Sequence, residues 1–211
     1  MSEPREVILA VDGKSLPGLL DVPANCRGLV VFAHGSGSSR LSPRNLSVAA
    51  ALHSAGFGTL LFDLLESKEA ADRSNVFDIG LLSHRLLTVT EWLRARTDCS
   101  GLPIGWFGAS TGAAAALAAA ADAHADVSAI VSRGGRPDLA EAALPLVQAP
   151  TLLIVGSEDK EVLALNREAA ADLRCPHEVR VIDGATHLFE EPGTLEQVAL
   201  LAGDWFARHL T

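Results

Sequence analysis

Apolar residues in this chain gather in short unbroken runs: 28–33 (Gly-Leu-Val-Val-Phe-Ala), 59–65, 103–108, 127–132 and 151–155. A strand with one wet face alternates apolar and polar residues. Continuous runs closed off by Gly, Pro or Ser predict strands buried on both faces, as in a parallel sheet. A further strand is expected at 178–182. Between the runs lie stretches of helical length, at about 43–55, 76–97, 111–124, 137–147, 160–173 and 194–210. Pro43 suits a first helical turn, and Ser42, Ser110 and Asp159 stand where helix N-caps are expected. The alanine-rich run 113–121 reads as a helix pressed closely on the sheet, since alanine is small and a strong helix former.

The start of the chain has a different pattern. Val7-Ile8-Leu9-Ala10-Val11, then Asp12-Gly13, then 16–22 predicts an antiparallel hairpin, because Asp-Gly favours the tight turns that join paired strands. The expected architecture is α/β: a doubly wound, mostly parallel sheet flanked by helices, with an N-terminal antiparallel hairpin at its edge. No linker or repeat divides the chain, so residues 1–211 are read as a single domain. No stretch is long enough for a large cap domain; loops such as 64–75 should roof the site. Trp92, Trp106 and Trp205 lie on apolar faces and read as core.

Composition narrows the partners. The 211 residues are 48% hydrophobic and 20% charged, with a formal net charge of −9. That balance disfavours nucleic acid, whose phosphates require clustered Lys and Arg. No apolar run approaches the roughly 20 residues that span a bilayer, and the first residues lack the basic and apolar regions of a signal peptide. The three cysteines, Cys26, Cys99 and Cys175, are widely spaced with no CxxC pair. They argue for reduced thiols in a cytoplasmic protein and against a disulfide frame or a zinc site, so no metal is expected. Homo-oligomerisation is open, with no feature of the sequence supporting it.

In an open α/β sheet, ligands bind beyond the carboxyl ends of the strands. Chemistry collects there. Gly108-Ala109-Ser110-Thr111-Gly112 is a G-x-S-x-G lying between a buried strand and a helix. Alone that pattern is weak; in this context a sharp turn can lift a serine out of the sheet as a nucleophile. The plainer alternative is a serine that only caps the alanine-rich helix. A serine hydroxyl needs a base, and His187 follows the strand at 178–182. His34 ends the first long strand and suits loop support. His53, His84, His124 and His209 fall in helical segments, and His177 lies in a loop before the last strand, away from the carboxyl edge. Asp159 follows the strand at 151–155 and is the preferred acid, with Glu158 and Asp183 as alternatives. The order Ser110, Asp159, His187 is nucleophile, acid, base.

A developing oxyanion needs backbone donors. Thr111, directly after the serine, supplies one. The loop His34-Gly35-Ser36-Gly37-Ser38-Ser39 should supply the other, from Ser36 and next from Gly37. A phosphate-binding loop is the rival reading, but the Lys-Ser/Thr ending of a P-loop is missing. Arg133 and Arg136 follow the strand at 127–132, and Arg40 and Arg44 follow the glycine loop. They could fork onto a substrate carboxylate or phosphate. The commoner alternative is local pairing with Glu66, Asp138 or Glu190.

These stretches, together with Gly184-Ala185-Thr186-His187-Leu188-Phe189, resemble the dienelactone hydrolase-like group of α/β-hydrolases from end to end. They are also similar to bacterial hydrolase domains, some of them fused to phosphoribosyltransferases. The resemblance implies cofactor-free hydrolysis of small esters or lactones. Dienelactone hydrolases proper carry cysteine at the elbow where this chain has Ser110, which bears on the substrate and not on the fold. Rival functions are a thioesterase or acyltransferase on the same triad, or a noncatalytic small-molecule-binding or partner domain.

Overall fold

The computed structural model describes residues 4–210. Its centre is an eight-stranded sheet of order β1-β2-β4-β3-β5-β6-β7-β8. Strands β1 (Arg5–Val11) and β2 (Lys14–Asp21) form the expected hairpin, with Asp12 and Gly13 at φ +51° and +72°. Two successive positive φ angles are what a type I′ turn requires. β2 runs antiparallel to β4 (Gly58–Phe62). From β4 onward, β3 (Leu29–Ala33), β5 (Ile104–Ala109), β6 (Ala129–Arg133), β7 (Thr151–Gly156) and β8 (His177–Ile182) are all parallel.

The unbroken apolar runs have their expected cause. Every residue of β3 to β7 is buried, whereas β1 and β8, the sheet edges, alternate or lie open. Helices α1 (Pro43–Ser54) and α7 (Thr194–His209) cover one face, burying Val48, Leu52, Trp205 and Phe206 against Phe32, Phe57 and Phe107. Helices α4 (Ile79–Arg94) and α5 (Thr111–Ala120) cover the other, around Trp106, Leu82, Leu86 and the alanines of α5. Each large apolar side chain so buried contributes about 1.5–3 kcal/mol. Trp106 is fully buried and its Nε1–H donates to Thr90 Oγ1 at 3.0 Å, so the core carries no unpaired indole donor. Trp92 is only half-buried, stacked under Arg96. Helix α6 (Lys160–Asp172) completes the layers.

Three segments differ from expectation. The roof at 64–75 holds two one-turn helices, α2 (Ser67–Ala70) and α3 (Arg73–Val76). They are pinned by a capping box between Glu66 and Glu69 and by Asp72 accepting from Ser74 N–H. The segment expected as an α-helix at 137–147 is a 3-10 helix, Pro137–Leu146, because Ala140 breaks the helical dihedrals and Pro145 removes an N–H. His177 opens β8 instead of preceding it.

The connections reverse direction at β3: the chain passes from β3 to β4 on one side and onward to β5 on the other. The loops after β3 and β5 therefore part company, leaving a crevice at the carboxyl edge. Helix α1 starts on one face of that crevice and α5 on the other.

Candidate active site

Register sets the site. Ala33 pairs with Gly108 and Ala109 with Arg133, and Arg133 pairs in turn with Ile154. The residues just beyond these rungs, His34, Ser110, Gly134 and Ser157, emerge along one edge. Ser110 sits at φ +51°, ψ −118°, a strained conformation for a residue with a side chain. Its backbone is held from both sides: its N–H donates to Arg133 O at 3.2 Å, and its carbonyl accepts from Arg136 N–H at 3.2 Å. Although Ser110 is the N-cap of α5, its side chain makes no cap hydrogen bond. The hydroxyl is free for something other than helix capping.

The flanking glycines make that turn possible. A Cβ on Gly112 would sit 2.1 Å from Ala33 O, and one on Gly108 would sit 2.4 Å from Ala113 Cα. Gly35 has a comparable role, since a Cβ there would come within 2.9 Å of Ala109 O. The glycine loop thus lies directly on the elbow. Ser36 N–H donates to Thr111 Oγ1 at 2.9 Å, so this backbone donor already has an acceptor in the free protein. His34 bridges the loop to the roof: its Nδ1 faces Gly35 O at 3.0 Å, and its Nε2 accepts from Leu64 N–H at 3.1 Å. Burial lowers its pKa, which suits a neutral imidazole that accepts at Nε2.

Across the cleft, the loops after β7 and β8 are stitched together. Ser157 N–H donates to Ile182 O at 2.9 Å, Glu158 N–H to Ala185 O at 3.0 Å, and Gly184 N–H to Ser157 Oγ at 2.8 Å. This stitching brings His187 Nδ1 to 2.6 Å from Asp159 Oδ2. Asp159 is the N-cap residue of α6, yet its carboxylate makes no cap bond and faces the imidazole instead. The carboxylate fixes the proton on Nδ1 and leaves Nε2 as an acceptor. The imidazole rests on Gly134, where a Cβ would meet Nδ1 and Cε1 at 3.4 Å. The two alternative acids are elsewhere. Glu158 accepts from Ser157 Oγ, and Asp183 is exposed.

Ser110 and His187 line one cleft of ≈ 440 Å³, together with Ser36, Ser42, Arg44 and Arg133. Among the described residues no hydrogen bond joins Ser110 to His187. Leu41 and Leu188 form an apolar rim that the sequence did not single out, although Leu188 adjoins His187. A second, smaller cavity of ≈ 180 Å³ lies under the glycine loop, walled by His34, Leu64, Leu65, Val76, Leu82 and Thr111.

The four arginines separate. Arg40 pairs with Asp63 at 2.7 Å, a partner the sequence did not suggest, while Glu66 takes up Ser15 N–H and Lys14. Arg136 forks onto Asp138 at 2.7 and 2.8 Å. Arg44 pairs with Glu190 at 3.0 Å. Arg133 has no carboxylate partner among the described residues; its guanidinium lies 6.0 Å from the centroid of the Phe107 ring. Burial, helped by the charge of Arg44, lowers its pKa to about 10. No group of three or more metal-ligating side chains occurs among the described residues.

The Dienelactone hydrolase family matches residues 16–204 of the chain. The chain belongs to that family. A dienelactone hydrolase from Anabaena variabilis is 50% identical over 100% of both chains and superposes with a TM-score of 0.95. Est1E from Butyrivibrio proteoclasticus, at 16% identity and 98% of each chain, has a TM-score of 0.83 and shares the fold. Two Mycobacterium tuberculosis proteins, each named a putative phosphoribosyl transferase, are 59% identical over 97% of this chain and 46% of their own length. The chain therefore spans about half the length of the curated relatives it matches. This member of the dienelactone hydrolase family has the α/β-hydrolase fold, and no helix among its described residues is long and apolar enough to cross a membrane.

Proposed function

We propose that residues 1–211 form one domain that hydrolyses small esters or lactones through Ser110, His187 and Asp159, without a cofactor. The observation that carries this reading is a strained, uncapped serine sharing a cleft with a histidine whose far nitrogen is held by a carboxylate at 2.6 Å. Ser110 Oγ attacks the substrate carbonyl carbon as His187 Nε2 takes the hydroxyl proton. Asp159 stabilises the imidazolium that forms. The oxyanion is met by Thr111 N–H and by Ser36 N–H, with the substrate oxygen replacing Thr111 Oγ1 as the Ser36 acceptor. One such donor is worth about 10²–10³ in kcat. His187 then returns its proton to the leaving alkoxide, and the acyl group stays on Ser110. Water, deprotonated at the same Nε2, releases the acid and restores the serine. The free thiols of Cys26, Cys99 and Cys175 support a reducing, cytoplasmic setting.

Ser110→Ala tests the assignment: hydrolysis of 4-nitrophenyl acetate and labelling by a fluorophosphonate should both disappear while the far-UV spectrum stays unchanged. Hydrolysis at the parental rate in that variant refutes it. One observation favours a second reading, a noncatalytic partner domain. Relatives that contain this unit as 46% of their length carry a transferase name. Lack of turnover by the unaltered protein across a panel of esters, thioesters and lactones would favour that alternative.

A further inference from the structure

Arg133 is the one arginine of the four near the cleft that folding leaves unneutralised. It is 8% exposed, it lines the cleft with Ser110 and His187, and its Nη1 is buried with no hydrogen-bond partner among the described residues. A buried cation without a counter-charge is costly, and such groups persist where a ligand supplies the missing charge. The surroundings favour the same kind of ligand. Arg44 lines the cleft, and among the described residues only its Nη1 is engaged, by Glu190, while its buried Nε has no partner. Helix α1 opens into the cleft at Ser42 and Pro43, and Ser42 makes no side-chain cap bond. The first-turn N–H groups of Arg44 and Asn45 have no acceptor within the helix. The hydroxyls of Ser38 and Ser42, also in the lining, have no partner among the described residues.

Donor number decides the class of anion. A carboxylate meets a single guanidinium fork with both of its oxygens. Here a guanidinium, part of a second one, the N-terminus of α1 and two hydroxyls line the same cleft. They suit a group with three oxygens and nearly two negative charges, which is a phosphoryl group. We propose that the cleft takes esters that carry a phosphate or phosphonate, held by Arg133, Arg44 and the N-terminus of α1 while the ester carbonyl meets Ser110. The apolar rim of Leu41 and Leu188 then covers the carbon chain between the two groups. The proposal rests on the Ser110 reading for the reaction and on Arg133 for the ligand, and the two can be tested apart.

The probe is phenylphosphonate, titrated calorimetrically into Ser110→Ala and into Ser110→Ala/Arg133→Met, with benzoate and benzyl alcohol as comparisons. Binding should be tightest for the phosphonate and fall roughly 10- to 150-fold without Arg133. Arg133→Lys, which keeps the charge and loses the fork, should recover part of that loss. For turnover, 4-nitrophenyl butanoate, hemisuccinate and 3-phosphonopropanoate vary the acid side, and the acetates of propanol and 3-hydroxypropylphosphonate vary the alcohol side. In one series the phosphonate should have the highest kcat/KM, and Arg133→Met should remove that preference by the same factor. If the neutral esters turn over normally while the phosphonate neither binds nor reacts preferentially, the subsite is overturned and the hydrolase stands. Arg133-dependent phosphonate binding in a protein that hydrolyses no ester supports the anion site and overturns the hydrolase reading.

Discussion

Replacing Arg133 by methionine should make the protein more stable, although it removes a residue from the proposed site. The residue is 8% exposed, and burial pushes its guanidinium down to a pKa of about 10, well below the usual arginine range. At 1.36 kcal/mol for each tenfold change in proton affinity, keeping it charged near neutral pH costs roughly 3 kcal/mol. Methionine fills a similar linear volume without the charge. It forfeits the cation–π contact with Phe107, at 6.0 Å, worth about 0.5–1 kcal/mol. The balance is a gain of about 2 kcal/mol, which for a domain of this size raises Tm by about 4–8 °C. The folded state binds this proton more weakly than the unfolded chain. The destabilisation is therefore full below pH 10 and is relieved only as pH rises above about 10, so the gain should be flat across the neutral range. Scanning calorimetry at pH 6, 7 and 8 measures it. Added phenylphosphonate should narrow the difference by stabilising the parent, by about 2.7 kcal/mol at a hundredfold excess over its Kd, more than the variant. A Tm that falls by several degrees in Arg133→Met would mean the guanidinium has a partner that holds the fold, and the reasoning fails.

Asp159→Asn should lower kcat on a neutral ester by about 10⁴-fold, because an amide cannot stabilise the imidazolium. A steady-state comparison with Glu158→Gln and Asp183→Asn checks it, and the assignment is wrong if either of those is the crippling change. Gly112→Ala should destabilise by about 3 kcal/mol or more in urea titration, since its Cβ would lie 2.1 Å from a backbone oxygen that cannot swing aside. Gly13→Ala offers a control: it meets nothing within 4 Å, so only its positive φ resists the change, and the loss should be about 1 kcal/mol.

The sheet was legible because burial on both faces leaves an unmistakable trace, a run such as Leu29-Val30-Val31-Phe32-Ala33 with no polar residue. The positions of Ser110, Asp159 and His187 were legible for a related reason: Ser110 follows directly on such a run, and Asp159 and His187 lie three and five residues beyond β7 and β8, in loops held together by backbone hydrogen bonds. The roof was not. Helices α2 and α3 are each a single turn, too short for any apolar period, and exist through the caps at Glu66 and Asp72. The long helix was placed from 76 but begins at Ile79, where Asp78 accepts from Leu81 N–H; an aspartate cap in a polar stretch competes with several equally plausible ones nearby.

Charge pairing is where sequence reasoning loses most. Four arginines lie near the expected cleft, and only Arg136, with Asp138 two residues on, has its partner close by in the sequence. The fold separates the four through distance. Arg136 finds Asp138 beside it, and Arg40 finds Asp63 across the crevice, 23 positions along the chain. Arg133 ends a fully buried strand, so its stem is fixed by the Phe107 and Ile154 neighbours in the sheet, and among the described residues no acid pairs with it. A cation in that place weakens the fold by an amount comparable to losing a core methyl group or two. Yet the same strand end supplies the carbonyl that holds Ser110 N–H, and the following Gly134 gives the imidazole of His187 its seat. The end of strand β6 and the residue after it thus anchor Ser110, His187 and the Arg133 guanidinium together. On the proposed reading, that shared anchoring would let an anionic group on the substrate place its carbonyl at Ser110, beyond making a contact at the rim.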